Sequence, residues 1–365
     1  MNGIAGRLGA FVEASWEGAT TGQRLVSAAL RPASLGYRAV VAARNRLYDV
    51  GVLRSERVPA RVVGVGNLTV GGSGKTPTAL WLAEALGARG RRVAIVSRGY
   101  GKTKPGVVIV GVDGRPLVAP ADGGDEAVLA AMRVPVPVIT CERRAMAARV
   151  ACERFACDTI VLDDGFQHRA LARDVDLVLV PEDGLSRALL PAGPLREPVS
   201  SLRRAHAVLA LGDERRLPPR PAAPPGVPTF VGRIVPAAAV LLGDGRLVAH
   251  DLGILPKRRV VAVAGVARPE RFWTLLDRLG VDVAVRLALP DHAQYDAATL
   301  AALRAAIGSE GRAVVTTEKD LVKLAGLGGV DALRLCAVRV GVEIEESERL
   351  LDLVAPPIEV ALHPD

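Results

Sequence analysis

Residues 62–77 read VVGVGNLTVGGSGKTP, and the fold follows from this stretch. Val62, Val63 and Val65 form a β-branched run, the mark of a buried strand. A glycine-rich turn then leads through Gly71, Gly72, Ser73 and Gly74 into Lys75 and Thr76. Thr69 stands where the pattern G-x-x-x-x-G-K-[ST] has its first glycine, so this is a variant P-loop. The glycines still let backbone amides approach phosphate oxygens. Lys75 has the length to reach β- and γ-phosphates, and Thr76 can offer a hydroxyl to Mg2+. Pro77 suits the first turn of a helix over Thr78–Leu86, whose N-terminus adds a positive field. Asn67, Gly71, Gly72, Ser73, Gly74, Lys75 and Thr76 are therefore the candidate nucleotide-binding residues. The competing reading is an ordinary tight βα turn. It leaves the order of strand, turn, Gly-Lys-Thr and helix unexplained.

Outward from the P-loop, short apolar strands alternate with helical segments. Strands are expected at Arg92–Ser97, Val107–Val110, Val136–Ile139, Thr159–Leu162, Leu177–Val180 and Ala207–Leu211. Helices are expected from Asp122 to about Met132 and over Arg143–Phe155. This is the pattern of a mostly parallel sheet covered on both faces. Six prolines within Arg215–Pro228 suggest a linker. A hairpin around Gly243–Asp244 follows, then strands at Arg259–Ala264, Val283–Leu289, Ala313–Thr316 and Leu335–Val340. Helices at Glu270–Leu279, Ala298–Ile307 and Glu346–Val354 complete a second α/β unit.

The expected fold is α/β: a P-loop NTPase-like three-layer core with a second, smaller α/β lobe and an N-terminal amphipathic helical region. The expected divisions are 1–50 for the helical region, 51–229 for the core and 230–365 for the second lobe. The hairpin leads into that lobe, and the C-terminus has the option of returning to the core. Within 1–50, apolar residues such as Phe11, Trp16, Leu25 and Val40 mix with Arg38, Arg44 and Arg46. Two readings stand side by side: a helical pair packed on the core, or helices lying in a membrane interface.

The 365-residue chain carries 47 Lys and Arg against 39 Asp and Glu, a net charge of +8 that points to anionic partners. Only 3% of residues are aromatic, and no zinc-finger or RNA-binding pattern appears, which argues against nucleic acid. The cysteines at 141, 152, 157 and 336 match no metal or disulfide framework and read as cytosolic thiols. No signal peptide and no apolar run of membrane-spanning length is seen.

Asp163 and Asp164 end an apolar strand in TIVLDDG, where P-loop enzymes place a Mg2+-organising carboxylate. Adjacent strand residues point opposite ways, so the two share a task only if the chain turns, as Gly165 suggests. Asp125 opens a helix after two glycines and reads either as an N-cap or as a general base. His168, His292, Arg98, Arg196, Glu197, Lys319 and Asp320 all lie in loops after strands, where α/β proteins build their sites.

Nine segments occur in order along the chain: GNLTVGGSGKTP (66–77), SRGYG (97–101), GDE (124–126), LDDGFQH (162–168), LVLVP (177–181), GPLREP (193–198), GVARPERF (265–272), PDHAQY (290–295) and TTEKDLVKL (316–324). With these the chain resembles the tetraacyldisaccharide 4′-kinase, or lipid A 4′-kinase, family. The resemblance implies ATP-dependent phosphorylation of the 4′-hydroxyl of a tetraacylated glucosamine disaccharide 1-phosphate to lipid IV-A. It implies work at the cytoplasmic face of the inner membrane as a peripheral enzyme; a monomer is expected, and the resemblance leaves the oligomeric state open. It also implies roles: Lys75 at the ATP phosphates, Thr76, Asp163 and Asp164 at Mg2+, Asp125 as base, His292 assisting from the second lobe, and Arg196 and Glu197 lining the cleft. Two departures stand out. Ala127 replaces a common proline, and a single histidine, His292, stands where many members have two.

Two rivals are set against this reading. A P-loop GTPase or ATPase switch lacks support, because no N-K-x-D motif is present. A non-enzymatic binding protein leaves the P-loop and Asp163–Asp164 without purpose.

Overall fold

The computed structural model describes residues 16, 20–182, 184–185, 188–243, 246–266, 268–290, 295–327, 330 and 333–356. Its centre is β1 (Arg61–Asn67), the strand that feeds the P-loop. On the P-loop side the chain adds β2 (Val93–Ser97), β3 (Val108–Val112), β4 (Arg115–Pro116), β5 (Val138–Thr140), β6 (Thr159–Asp163), β7 (Val175–Val180) and β8 (Ala207–Gly212). Beyond them lie β9 (Thr229–Gly243), β10 (Arg246–His250), β11 (Val260–Ala264), β12 (Val283–Ala288), β13 (Val314–Thr317) and β14 (Leu335–Ile344). All belong to one sheet of order β12-β11-β13-β14-β9-β8-β7-β1-β6-β2-β5-β3-β4, with β10 paired to β9.

The helices are α1 (Thr21–Ala29), α2 (Arg31–Asp49), α3 (Lys75–Ala88), α4 (Asp125–Arg133), α5 (Arg144–Phe155), α6 (Pro269–Arg278), α7 (Ala297–Ile307), α8 (Glu318–Ala325) and α9 (Ser347–Val354). On one face of the central strands, Leu80, Leu82 and Leu86 of α3 and Val128 of α4 bury against Val63, Val65, Ile95 and Val161. On the other face, Ala145, Ala147, Ala148 and Ala151 of α5 pack on Val62, Ala94, Ile160 and Leu162. The strands between are apolar on both sides, as a covered parallel sheet requires. The far end repeats this arrangement. Phe272, Trp273 and Leu276 cover one face of β11, and Leu300 and Leu303 cover the other.

Two features differ from the sequence expectation, and a third takes up an option it left open. The sheet is continuous: β9 starts at Thr229, well before the expected hairpin around Gly243–Asp244, pairs parallel with β8, and then pairs antiparallel with β14. It tolerates Pro236 because the ladder with β14 shifts register there. The Thr317–Asp320 segment is the start of α8 rather than a loop. Thr317 caps it by accepting from the Asp320 amide, a Thr-x-x-Asp signal that the sequence carries in plain view. Finally, α9 returns to the P-loop half. Leu350, Leu351 and Val354 join the same apolar cluster as α3, and Arg61 Nε donates to the Val354 carbonyl at 2.6 Å.

Helices α1 and α2 invert the usual amphipathic arrangement. Their polar side faces the protein: Ser34 Oγ donates to the Leu189 carbonyl at 3.0 Å, Tyr37 to that of Arg196 at 2.9 Å and Arg44 to that of Gln167 at 2.6 Å. Leu35, Val40 and Leu47 are exposed, and Val41 is the buried residue of the pair. Among the described residues no helix is long and apolar enough to cross a membrane.

Candidate active site

The P-loop sits where β1 ends beside β6, with Val65 opposite Asp163 in the parallel ladder. Gly74 caps α3 with a φ of 83°, a left-handed conformation, and a Cβ there would lie 2.8 Å from Leu211. No positive φ falls at Thr69, so the missing glycine is not needed in this turn. Thr69 is instead used as a brace: its hydroxyl accepts from Asn67 Nδ2 at 3.2 Å and its carbonyl from Arg196 Nε at 3.1 Å. Asn67 also donates to Ser73 at 2.7 Å, which ties the strand end to the far side of the loop.

The two aspartates divide the work. Asp163 Oδ2 accepts from the Thr76 hydroxyl at 3.2 Å, while its Oδ1 is buried without a protein partner. Burial, with Glu126 and Asp164 nearby, pushes this carboxyl up to about 7, and Lys75 and Thr76 offset only part of that. Asp164 takes a φ of 55°, so the chain turns at this residue and sends its side chain elsewhere. There it meets Arg196 in a two-pronged pair, at 3.0 and 2.9 Å, with Lys75 Nζ at 3.6 Å. Burial opposes its charge, but Arg196, Lys75 and Arg144 outweigh that and hold it down at about 2. Arg196 also donates to Asn67 Oδ1, so one guanidinium joins the P-loop to the second aspartate.

Asp125 is the first residue of α4, and Gly124 before it, φ 93°, is the cap. A Cβ on Gly124 would lie 3.0 Å from the Tyr100 carbonyl, so the SRGYG and GDE segments pack directly together. With Gly124 as the cap, Asp125 is not the N-cap residue. Its Oδ2 lies 3.2 Å from Lys323 Nζ of α8, and Glu126 lies 3.7 Å from Lys319. Lys323 stands in the TTEKDLVKL segment, but its pairing with Asp125 carries no local signal, because α8 arrives from the other end of the chain.

Glu197 does not join this cluster. It is 1% exposed and accepts from Arg204 at 2.7 Å and from Asn45 of α2 at 3.3 Å, which anchors the N-terminal helices. His168 sits 3.2 Å from Arg144 and, among the described residues, meets no carboxylate. Burial and the arginines at 144, 173, 44 and 98 push it down to about 4, so it is neutral near pH 7. His292 lies outside the described residues.

A P-loop at the carboxyl ends of a covered parallel sheet, backed by a strand-end aspartate pair, defines a P-loop kinase fold. The family model for tetraacyldisaccharide-1-P 4′-kinase matches residues 26–357. A tetraacyldisaccharide 4′-kinase of Anaeromyxobacter dehalogenans (strain 2CP-C) is 43% identical over 338 residues, covering 90% of this chain and 89% of that protein. The enzyme of the same name from Aquifex aeolicus is 37% identical over 336 residues, covering 90% and 98%. A crystal structure of LpxK from Aquifex aeolicus, in complex with ATP, superposes with a TM-score of 0.77 at 35% identity, covering 90% of this chain and 98% of that one. The chain belongs to the tetraacyldisaccharide 4′-kinase family and is a kinase.

Proposed function

We propose that the chain transfers the γ-phosphoryl group of ATP to the 4′-hydroxyl of a tetraacylated glucosamine disaccharide 1-phosphate, giving lipid IV-A. The observation that carries this reading is the buried, unpartnered Oδ1 of Asp163 beside the Thr76 hydroxyl. Two hard oxygen donors at the start of the P-loop helix fit Mg2+. Among the described residues no three His, Cys, Asp or Glu side chains converge as a cage, and Mg2+ commonly takes its remaining oxygens from phosphates and water. Thr76 and Asp163 would hold the ion, which neutralises charge on the β- and γ-phosphates when bound. The ATP-bound Aquifex relative supports ATP as the donor.

The chain's own groups then have distinct tasks. Amides of Gly71, Gly72, Ser73 and Gly74 cradle phosphate oxygens, and Lys75 places its ammonium against them. Asp164 holds Lys75 and Arg196 in place through its contacts with both. Asp125 accepts the proton of the attacking hydroxyl, and His292 assists from the second lobe. The divisions 1–50, 51–229 and 230–365 act as membrane element, core and closing lobe. The enzyme works as a peripheral monomer at the cytoplasmic face of the inner membrane. Leu35, Val40 and Leu47 enter the interface, and arginines such as Arg38 and Arg46 meet anionic headgroups. The deciding assay follows γ-labelled ATP with detergent-solubilised tetraacyldisaccharide 1-phosphate, with Mg2+ or with EDTA. Metal-dependent label in the lipid is expected. Label released as free phosphate with none in the lipid would refute the acceptor.

A further inference from the structure

The TTEKDLVKL segment has no task in the reading above, yet it brings a cation to the candidate base. Lys323 Nζ lies 3.2 Å from Asp125 Oδ2, and its side chain is 5% exposed. A buried ammonium is costly unless it is paired. A solvated pair would serve as well if the only need were to fasten α4 to α8. Fastening is supplied elsewhere: at the other end of α4, Arg133 donates to buried Glu318 at 3.1 Å. The pair at the N-terminal end falls on the candidate base itself.

Lys323 is braced by residues from several elements. Its ammonium lies 5.3 Å from the centre of the Tyr295 ring. The Tyr295 hydroxyl donates to Asp320 Oδ1 at 2.8 Å. Asp320 is fully buried, and its Oδ2 accepts from the Gly265 amide at 2.8 Å and the Thr317 hydroxyl at 2.7 Å. Burial, with Asp320 and Asp125 nearby, raises the Tyr295 hydroxyl well above its ordinary value and keeps it a donor. The end of β11, the segment before α7 and the start of α8 thus converge behind one lysine.

We propose that Lys323 is a positioning residue for Asp125. It holds one carboxylate oxygen and so fixes the side-chain rotamer, which makes the base competent only while α8 is seated against α4. A base free to swing would meet the hydroxyl in many orientations, and catalysis depends on one. The proposal rests on the reading of Asp125 as the base, and the test separates the two.

The experiment measures kcat and KM for both substrates in the full chain with Asp125→Asn, Lys323→Met, Lys323→Arg and the double variant Asp125→Asn/Lys323→Met. Lys323→Met is expected to lower kcat about 10- to 100-fold, the range for loss of a group that orients a functional ligand. Both KM values should stay within about twofold, as expected of an interaction that matters only in the transition state. Lys323→Arg should recover most of kcat. In the Asp125→Asn background the Lys323→Met change should cost less than about twofold, because residues that act as a unit are not additive. A normal kcat for Lys323→Met, or an equal loss in both backgrounds, overturns the proposal and leaves the base reading standing. Normal turnover of Asp125→Asn overturns both. Thermal unfolding checks each variant. If Lys323→Met does not fold, the Lys323→Gln and Lys323→Arg pair decides, with loss of kcat in Gln alone as the supporting result and equal kcat as the refuting one.

Discussion

Replacing Glu318 by alanine removes the carboxylate that Arg133 and Arg339 share. Arg133 NH1 donates to Oε2 at 3.1 Å and Arg339 Nε to Oε1 at 2.7 Å. The side chains of Arg133, Glu318 and Arg339 are 8%, 5% and 17% exposed, so water can replace little of what is lost. Burial already pushes the Arg133 guanidinium below its ordinary value, and Arg339 pushes the same way; Glu318 is the group that supports its charge most. Breaking a buried pair from one side costs about 3–5 kcal/mol. The field of Glu84 reaches both arginines, and Arg133 keeps its bond to the Val340 carbonyl at 2.8 Å. These put the loss at the lower end, about 3 kcal/mol, on the order of 100-fold in the folding constant. Urea unfolding with matched slopes measures it. Arg133→Met/Glu318→Leu should recover about half, because it removes one of the two guanidiniums that lose Glu318 and leaves Arg339, 17% exposed, with the field of Glu84. A loss under about 1 kcal/mol for Glu318→Ala, or a double variant as unstable as the single, would refute the claim that this cluster is held by compensation of buried charge.

Three further outcomes are expected. Arg196→Ala should lower kcat about 10- to 100-fold, since it frees Asp164, Asn67 and the Thr69 carbonyl together, and Arg196→Lys should rescue it poorly because a point charge cannot span both oxygens. His168 has a folded value pushed down to about 4 from 6.5, so the folded state binds fewer protons than the unfolded between those values. Its contribution is present above about pH 6.5 and is lost as pH falls through 4; urea unfolding of His168→Gln should flatten that slope by about 1–2 kcal/mol after solvent screening. Leu35→Asp/Val40→Asp should cut co-sedimentation with anionic vesicles about tenfold or more while sparing turnover on detergent-solubilised lipid, because both side chains face away from the protein. Unchanged sedimentation would remove that face from the membrane reading.

The sequence carries the P-loop half well because its signals are local. Val62–Val65, the glycines at 71, 72 and 74, and the aspartates after a four-residue apolar strand are each readable within a dozen residues. The left-handed turn at Asp164 explains why neighbouring carboxylates separate, where Gly165 alone had seemed the hinge. Long-range pairings were not legible. Lys323 reaches Asp125, and Glu197 turns to Arg204 and Asn45, because the sheet places distant segments side by side. The full length of strand β9 has no local signal, since Pro236 interrupts it and only the shifted register with β14 lets it continue. Helix α8 was available from its Thr317–Asp320 cap and was obscured by the strand just before it.

Strand β9 has a mechanical consequence. It is hydrogen-bonded to β8 along its first residues and to β14 along most of its length, so one continuous sheet runs from the P-loop strand to β12. Such a sheet resists bending at a point but accepts a change of twist spread over many strands. Relative motion of its two ends is therefore torsional, closer to a wound spring than to a hinge. The compliant place in that spring is the extra residue Ala237, which lies opposite the junction of Arg339 and Val340 and leaves the ladder locally unpaired. Deleting Ala237 would stiffen the spring without touching any group that handles phosphate.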